Sequence, residues 1–455
     1  MIPVVTPAEM KAIDVAAPEP VEILIDRAGA AVARAALEML GGTYGRRVVV
    51  IAGAGNNGAD GRAAARRLAR RGVGVTVLDA RDPGPRVPRC DLIIDAAYGT
   101  GFRGEYDPPD PGGAVVVAVD IPSGVQGDTG AVRGAALRAD LTVTMAALKP
   151  GLLLGDGPDR SGRVEVADIG LPVGVPSAHL VEDADLAWIP PRPHAAHKWM
   201  GAVWDVAGSP GLRGAAQLCS RAALRAGSGL VRIGSPGLGA DDHAPSEAVA
   251  VGLPAAGWET AVAADLARVR ALAVGPGLGR SDAVGESVRR LLSTTTVAAV
   301  VDADGLYALG DAAEAAAVIG ARPAGAGPVV FTPHDGEFAR LAGGPAGEDR
   351  IAAVRGLAAA TGAVVLLKGP TTVVADPGGA VLLSASGDAR LATPGTGDVL
   401  TGVVAAFLAR GLDGLRAAAV AAHVHGRAAL LGPRVGLVAG DLPDLVARVL
   451  SGTGP

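Results

Sequence analysis

The chain predicts an α/β protein of two domains, each a largely parallel sheet covered by helices, and three observations predict it. Short apolar runs such as Val48-Val49-Val50-Ile51 recur along the chain, each ending in a glycine- or aspartate-bearing loop before helical periodicity resumes. At 455 residues the chain is too long for one ordinary core. Prolines at 190, 191 and 193 interrupt the pattern between residues 175 and 197, which separates residues 1–185 from residues 186–455.

Composition narrows what such a protein can do. Hydrophobic residues make up 49% and aromatics only 3%, so the cores are expected from small Ala- and Gly-rich helices on Val-rich strands. A net charge of −5 with no basic block argues against nucleic acid as the main partner. Cys90 and Cys219 lie far apart and offer neither a disulfide framework nor metal-ligand spacing, which points to a reducing cytoplasm. No apolar run reaches membrane-spanning length and no signal-peptide pattern opens the chain. A soluble protein acting on a small molecule is the expectation.

In the first half, periodicity predicts a helix from Glu9 to Met39 and a buried strand from Arg47 to Ala52. The loop Gly53 to Gly61 follows, then a helix over 62–71 and a strand over 73–78 ending at Asp79. Gly53, Gly55 and Gly58 satisfy the dinucleotide fingerprint, and Asp79 falls where a ribose-binding acid belongs, so an NAD-dependent dehydrogenase is one reading. Asn56, Asn57 and Asp60 are unusual there, since their side chains suit a polar ligand or an oxygen-liganded cation. The next strand ends carry Asp95, the loop Tyr98 to Arg103, and Asp120 with Ser123. In an open parallel sheet such ends share one crevice.

In the second half, strands are predicted at Val203–Ala207, Leu230–Ile233, Ala271–Gly275, Val297–Val301, Val329–Phe331 and Val364–Leu367. Their ends carry Gly208-Ser209, Gly277-Leu278-Gly279, Asp302-Ala303-Asp304, Thr332-Pro333-His334 and Lys368-Gly369-Pro370-Thr371-Thr372. No Gly-Lys-Ser/Thr phosphate loop is present. Instead Thr393-Pro394-Gly395-Thr396-Gly397-Asp398 leads into an apolar helix, and a glycine turn at a helix start cradles phosphate. Asp398 there reads as a general base beside the phosphate or as a helix cap. His334 reads as a structural histidine or as a ligand contact.

Taken together, residues 55–61, 95–101, 120–124 and 149–155 resemble the epimerase domain of the NAD(P)H-hydrate repair enzymes over roughly the first 175 residues. The resemblance implies a Rossmann-like three-layer domain that interconverts the R and S hydrates of NADH and NADPH. It implies potassium held by Asn57, Asp95 and Ser123, and hydrate contacts from Asn56, Asn57, Gly58, Ala59, Asp60, Gly99, Thr100, Gly101, Phe102, Arg103 and Asp120. Ala59 stands where the family usually has glycine. Asp120 is the candidate acid/base, with Lys149 assisting.

From His197 to Val449 the motifs resemble the ADP- or ATP-dependent NAD(P)H-hydrate dehydratases, which implies a ribokinase-like α/β domain. By that resemblance the S hydrate lies against Ala215, Gly277, His334 and Asp398, and the nucleotide along Lys368, Gly369, Pro370, Thr371 and Thr372 and at Gly397. Trp199 and Met200 replace an expected glycine, and Ser246-Glu247-Ala248-Val249 is a loose form of a Pro-Glu segment. Magnesium with ADP or ATP, a homo-oligomer and a cytoplasmic location complete the expectation. A small-molecule kinase using the same turn, and a non-catalytic N-terminal assembly module, are the rival readings.

Overall fold

Burial dictates the N-terminal sheet: the strands Leu92–Ala96 and Leu141–Met145 are buried along their whole length, so both faces must be covered. In the computed structural model, which describes residues 1–243 and 247–452, the six strands run parallel in one sheet. Their order is Gly74–Asp79, Arg47–Ala52, Leu92–Ala96, Val115–Val119, Leu141–Met145, Arg163–Ala167. The order turns back at Arg47–Ala52, which has a neighbour on each side from later in the chain. A crevice opens at the strand ends around such a switch.

The single long helix expected near the N-terminus is two, Pro7–Val15 and Val21–Leu40. Pro18 and Pro20 lie between them and cannot continue a helical hydrogen-bond ladder, and Pro20 becomes the cap of the second helix. The second helix packs on Asn56–Ala69, where a Cβ on Gly29 would lie 2.4 Å from that of Ala63. Asn56 to Gly61, expected as a loop, forms the opening turns of that helix.

The chain divides into two compact units between Ala178 and His179, ahead of the 185/186 boundary expected from the prolines. Residues 175–197 are also more regular than expected, with a short strand at Ala178–Leu180 and a 3₁₀ helix at Asp183–Trp188.

In the C-terminal unit the strand order is Val381–Ser384, Thr372–Ala375, Val364–Leu367, Val329–Phe331, Ala298–Val301, Ala271–Val274, Ala202–Val206, Leu230–Gly234, Val249–Ala250. Thr372–Ala375 pairs antiparallel with both Val381–Ser384 and Val364–Leu367, and all later neighbours pair in parallel. Seven neighbouring strands, from Val364–Leu367 to Val249–Ala250, therefore present their carboxyl ends on one edge. Thr396–Ala409 is buried on nearly every face, as a helix laid across the centre of a sheet must be. It crosses Arg213–Arg225 closely enough that a Cβ on Gly402 would lie 2.1 Å from the Cys219 carbonyl oxygen.

Two candidate active sites

In the N-terminal unit a cavity of about 1030 Å³ opens at the sheet's carboxyl edge. Its wall carries Asn56, Asn57, Asp60, Gly99 through Arg103 and Asp120, so the structure brings most of the expected hydrate residues together. Gly58 and Ala59 are not on that wall. A Cβ on Gly58 would sit 1.9 Å from the Gly53 carbonyl oxygen, so this glycine lets the helix close on the strand. Asp79 lies away from the cavity, with Oδ1 accepting the Arg81 amide at 2.9 Å and Oδ2 an Arg81 guanidinium nitrogen at 2.9 Å. The ribose-binding role allowed by the glycine pattern is therefore not the role of this residue.

Asp120 has φ of 69°, a strained setting for a non-glycine residue and one often found where function requires it. Lys149 is fully buried and donates from Nζ to Asp120 Oδ1 at 2.5 Å, Thr144 Oγ1 at 2.9 Å and the Met145 carbonyl at 2.9 Å. Asp60 is 8% exposed, and burial, reinforced by the Asp120 and Asp14 carboxylates, pushes it up to about 8. Asp95 is wholly buried, which raises its pKa, while Oδ1 accepts Ser123 Oγ at 2.6 Å and Oδ2 the Ser123 amide at 2.9 Å. Both polar atoms of the Asn57 side chain are buried without a hydrogen-bond partner. An orphaned amide oxygen near Gly99 fits a set of hard oxygen donors for a monovalent cation.

The C-terminal site is assembled from the strand ends and the start of Thr396–Ala409. Gly395 caps that helix with φ of 91°, and no side chain caps it, so Asp398 is not the cap that the sequence alone allowed. Burial, with Asp302 and Asp304 nearby, pushes Asp398 up to about 7, and Lys368 partly offsets this. Asp302 is 2% exposed; Lys368 Nζ lies 2.9 Å from its Oδ1, and Thr401 Oγ1 donates to its Oδ2 at 2.8 Å. A Cβ on Gly397 would lie 3.5 Å from Lys368 Nζ and 3.6 Å from Asp302 Oδ2, in ordinary contact with this pair, so the turn passes directly beside it.

Lys368 Nζ also lies 3.7 Å from Glu337 Oε2, and Glu337 accepts the His334 amide at 2.9 Å. His334 caps Asp335–Ala342, its Nδ1 accepting from Gly336 at 3.0 Å and Glu337 at 3.3 Å. That bond pattern leaves Nε2 as the protonated nitrogen of the neutral ring. The structural reading of His334 therefore holds, the ring being a cap, and its exposed edge carries Nε2 at 3.5 Å from Glu337 Oε1. Ala215 and Gly277 also come together, a Cβ on Gly277 falling 3.0 Å from that of Ala215. Along the segment expected to contact the nucleotide, Gly369 and Pro370 are exposed, Thr371 is buried, and Thr372 begins the next strand.

Sequence reasoning gave Asp302, Glu337 and Thr401 no role, although the Asp302-Ala303-Asp304 strand end was a signal. In the Ser246 to Val249 segment, Ser246 lies outside the described residues; Val249-Ala250 is a short strand.

A glycine turn opening a buried helix, with a carboxyl beside it at the carboxyl edge of this sheet, is the arrangement of an enzyme of ribokinase-like fold, here following a Rossmann-like domain. Residues 204–450 match the NAD(P)H-hydrate dehydratase family model, and residues 21–88 and 80–151 match that of the YjeF-related protein N-terminus. A bifunctional NAD(P)H-hydrate repair enzyme of Moorella thermoacetica is 37% identical, with 98% of this chain and 96% of that protein covered. One from Mycobacterium leprae is 39% identical, covering 90% and 88%. The ADP/ATP-dependent NAD(P)H-hydrate dehydratase of Bacillus subtilis, co-crystallised with ATP and Mg²⁺, is 32% identical with a TM-score of 0.52, covering 60% of this chain and 97% of that one. The chain belongs to the bifunctional NAD(P)H-hydrate repair enzymes, metabolite-repair enzymes that join an epimerase to a dehydratase.

Proposed function

We propose that residues 186–455 dehydrate the S hydrate of NADH and NADPH with Asp398 as base, and that residues 1–185 supply that epimer through the cavity holding Asp120. The observation that carries the reading is Asp398 itself, a carboxyl held near neutrality at the mouth of a phosphate-binding turn. Asp398 takes the proton from the hydroxyl of the hydrated ring, and the hydroxyl oxygen attacks the terminal phosphorus of ADP or ATP. The amides of Gly395 to Gly397 stabilise the charge on the transferring group. Phosphate then departs from the ring carbon and a neighbouring ring proton is lost, restoring the double bond. Converting hydroxyl to phosphate makes a good leaving group, which is why a kinase-like scaffold suits this lyase.

Lys368, held between Asp302 and Glu337, supplies fixed positive charge for the nucleotide along Lys368 to Thr372 and at Gly397. The hydrate ring is proposed to lie against Ala215, Gly277 and the exposed edge of His334. Magnesium would accompany the nucleotide and screen its phosphates.

In the epimerase site, Asp120 is the proposed proton-transfer group, oriented by Lys149. Potassium would be held by Asn57, Asp95 and Ser123; the unpartnered Asn57 amide and the buried Asp95 carboxyl support the choice. Bound there, the cation would supply positive charge that keeps Asp95 ionised. A cytoplasmic homo-oligomer is the proposed setting, to which the two free cysteines are suited.

The test is to give the protein mixed R and S hydrates with ADP or ATP and to follow the recovery of NADH absorbance. Recovery of the full pool is expected. No recovery with either nucleotide removes the dehydratase reading, and recovery that halts when the S form is spent removes the epimerase reading alone. A stable phosphorylated product would favour a kinase.

A further inference from the structure

We infer that Asp60 and Asp120 divide the proton work of the epimerase site, Asp60 as the acid and Asp120 as the base. The inference rests on the epimerase reading above and assigns a role to a residue placed there only as a hydrate contact.

The two carboxyls line one cavity in opposite surroundings. Asp120 Oδ1 faces three donors: Lys149 Nζ at 2.5 Å, Thr144 Oγ1 at 3.2 Å and the Met145 amide at 3.4 Å. A fully buried lysine and two further donors thus surround this oxygen, the setting in which a carboxyl accepts hydrogen bonds. Asp60 has no hydrogen bond or ion pair among the described residues, is nearly buried, and has the carboxylates of Asp120 and Asp14 as its charged company. Like charge and burial both favour the neutral acid, consistent with its upward shift to about 8. Lys11, Asp14 and Glu19 from the N-terminal segments, and Arg103 and Asp128 from the loops, are the other charged groups on the wall. One carboxyl ringed by donors and another, in the same cavity, in the company of carboxylates is the pattern of a base and acid pair.

The chemistry closes with these two groups alone. Asp120 takes the proton of the hemiaminal hydroxyl, the carbon–oxygen bond becomes a carbonyl, and the carbon–nitrogen bond breaks with its electron pair going to the ring nitrogen. Asp60 delivers its proton to that nitrogen. Rotation about the neighbouring carbon–carbon bond turns the other face of the carbonyl to the nitrogen, which re-adds as it returns the proton to Asp60. Asp120 gives its proton back to the oxygen. Each group ends as it began, so no proton exchange with solvent is needed, which suits a carboxyl that is 8% exposed.

The test uses the full chain in potassium-containing buffer. Carboxyl ¹³C NMR of the wild type and of Asp60→Asn assigns the Asp60 signal by difference, and its midpoint is expected near 8. Epimerisation kcat/KM of the wild type should fall above that pH. Asp60→Asn should lose ~10²- to 10⁴-fold in epimerisation together with the falling limb. The far-UV circular dichroism and the thermal melt of the same variant should match those of the wild type, which shows that both units are folded. A signal titrating in the ordinary carboxylate range overturns the inference, as does a variant that epimerises within about threefold of the wild type. If the wild type dehydrates the S form but never interconverts the epimers, the epimerase reading fails and this inference with it.

Discussion

Lys368 Nζ sits 2.9 Å from Asp302 Oδ1, joining the ends of two strands that Val329–Phe331 separates in the sheet. Asp302 is 2% exposed and its second oxygen is held by Thr401 from the helix that carries Asp398. One carboxylate thus ties the proposed nucleotide loop to the helix bearing the proposed base. Lys368→Met removes the only cation bonded to Asp302 among the described residues, and breaking a buried pair on one side costs about 3 kcal/mol. Chemical denaturation should show that loss. The double variant Lys368→Met, Asp302→Leu should recover part of the stability but none of the dehydratase activity.

The raised pKa of Asp398 has consequences of opposite sign for activity and stability. As a base the group must be ionised, so kcat/KM for dehydration should rise with pH through about 7 and then level off. For stability, the folded state binds this proton more tightly than the unfolded chain, whose carboxyl titrates near 3.8. The contribution is complete below that value and is lost as pH rises through about 7. Thermal melts of the wild type should therefore decline between about pH 4 and 7, and Asp398→Asn should reduce that decline.

Asp205 lies on the strand Ala202–Val206 with 0% exposure, and the Cys219 thiol, a weak donor, is the one hydrogen-bonding group its carboxyl meets among the described residues, which leaves an oxygen unsatisfied. Burial pushes its pKa far up, so the group is neutral. An unsatisfied buried polar group costs about 1–3 kcal/mol, and Asp205→Val should stabilise the protein by an amount in that range. A lower melting temperature in this variant would mean that the acid has a partner in solution.

Gly402 permits the crossing of Thr396–Ala409 over Arg213–Arg225, and an added methyl would meet the Cys219 carbonyl oxygen at 2.1 Å. Gly402→Ala should destabilise by about 1–3 kcal/mol through overpacking. Because the shifted helix carries Asp398, dehydratase kcat should fall while epimerisation is retained.

Much of this was legible in the sequence. The strands and their glycine- and acid-bearing ends follow from short Val-rich runs, which read the same way in the chain as in the sheet. Boundaries set by local competition were less legible. Pro18 and Pro20 split a helix whose apolar periodicity runs on across them, and Asn56 to Gly61 looked like a loop because Asn and Gly are poor helix formers. Tertiary packing against Gly53 overrode that propensity. The partners of Asp302 were invisible, since Lys368 and Thr401 lie 66 and 99 residues away in the chain. Asp79 shows the converse, a residue correctly spaced for a ribose contact that folding leaves bonded to Arg81.

The central claim is that Asp398 is the base of the dehydration. It is tested most directly by measuring NADH recovery from purified S hydrate with ADP and with ATP, using the Asp398→Asn protein. The account predicts a fall of at least about 100-fold with either nucleotide, with interconversion of the R and S hydrates and the cooperative melt both retained. Dehydration by Asp398→Asn at a rate within a few-fold of the wild type would contradict it.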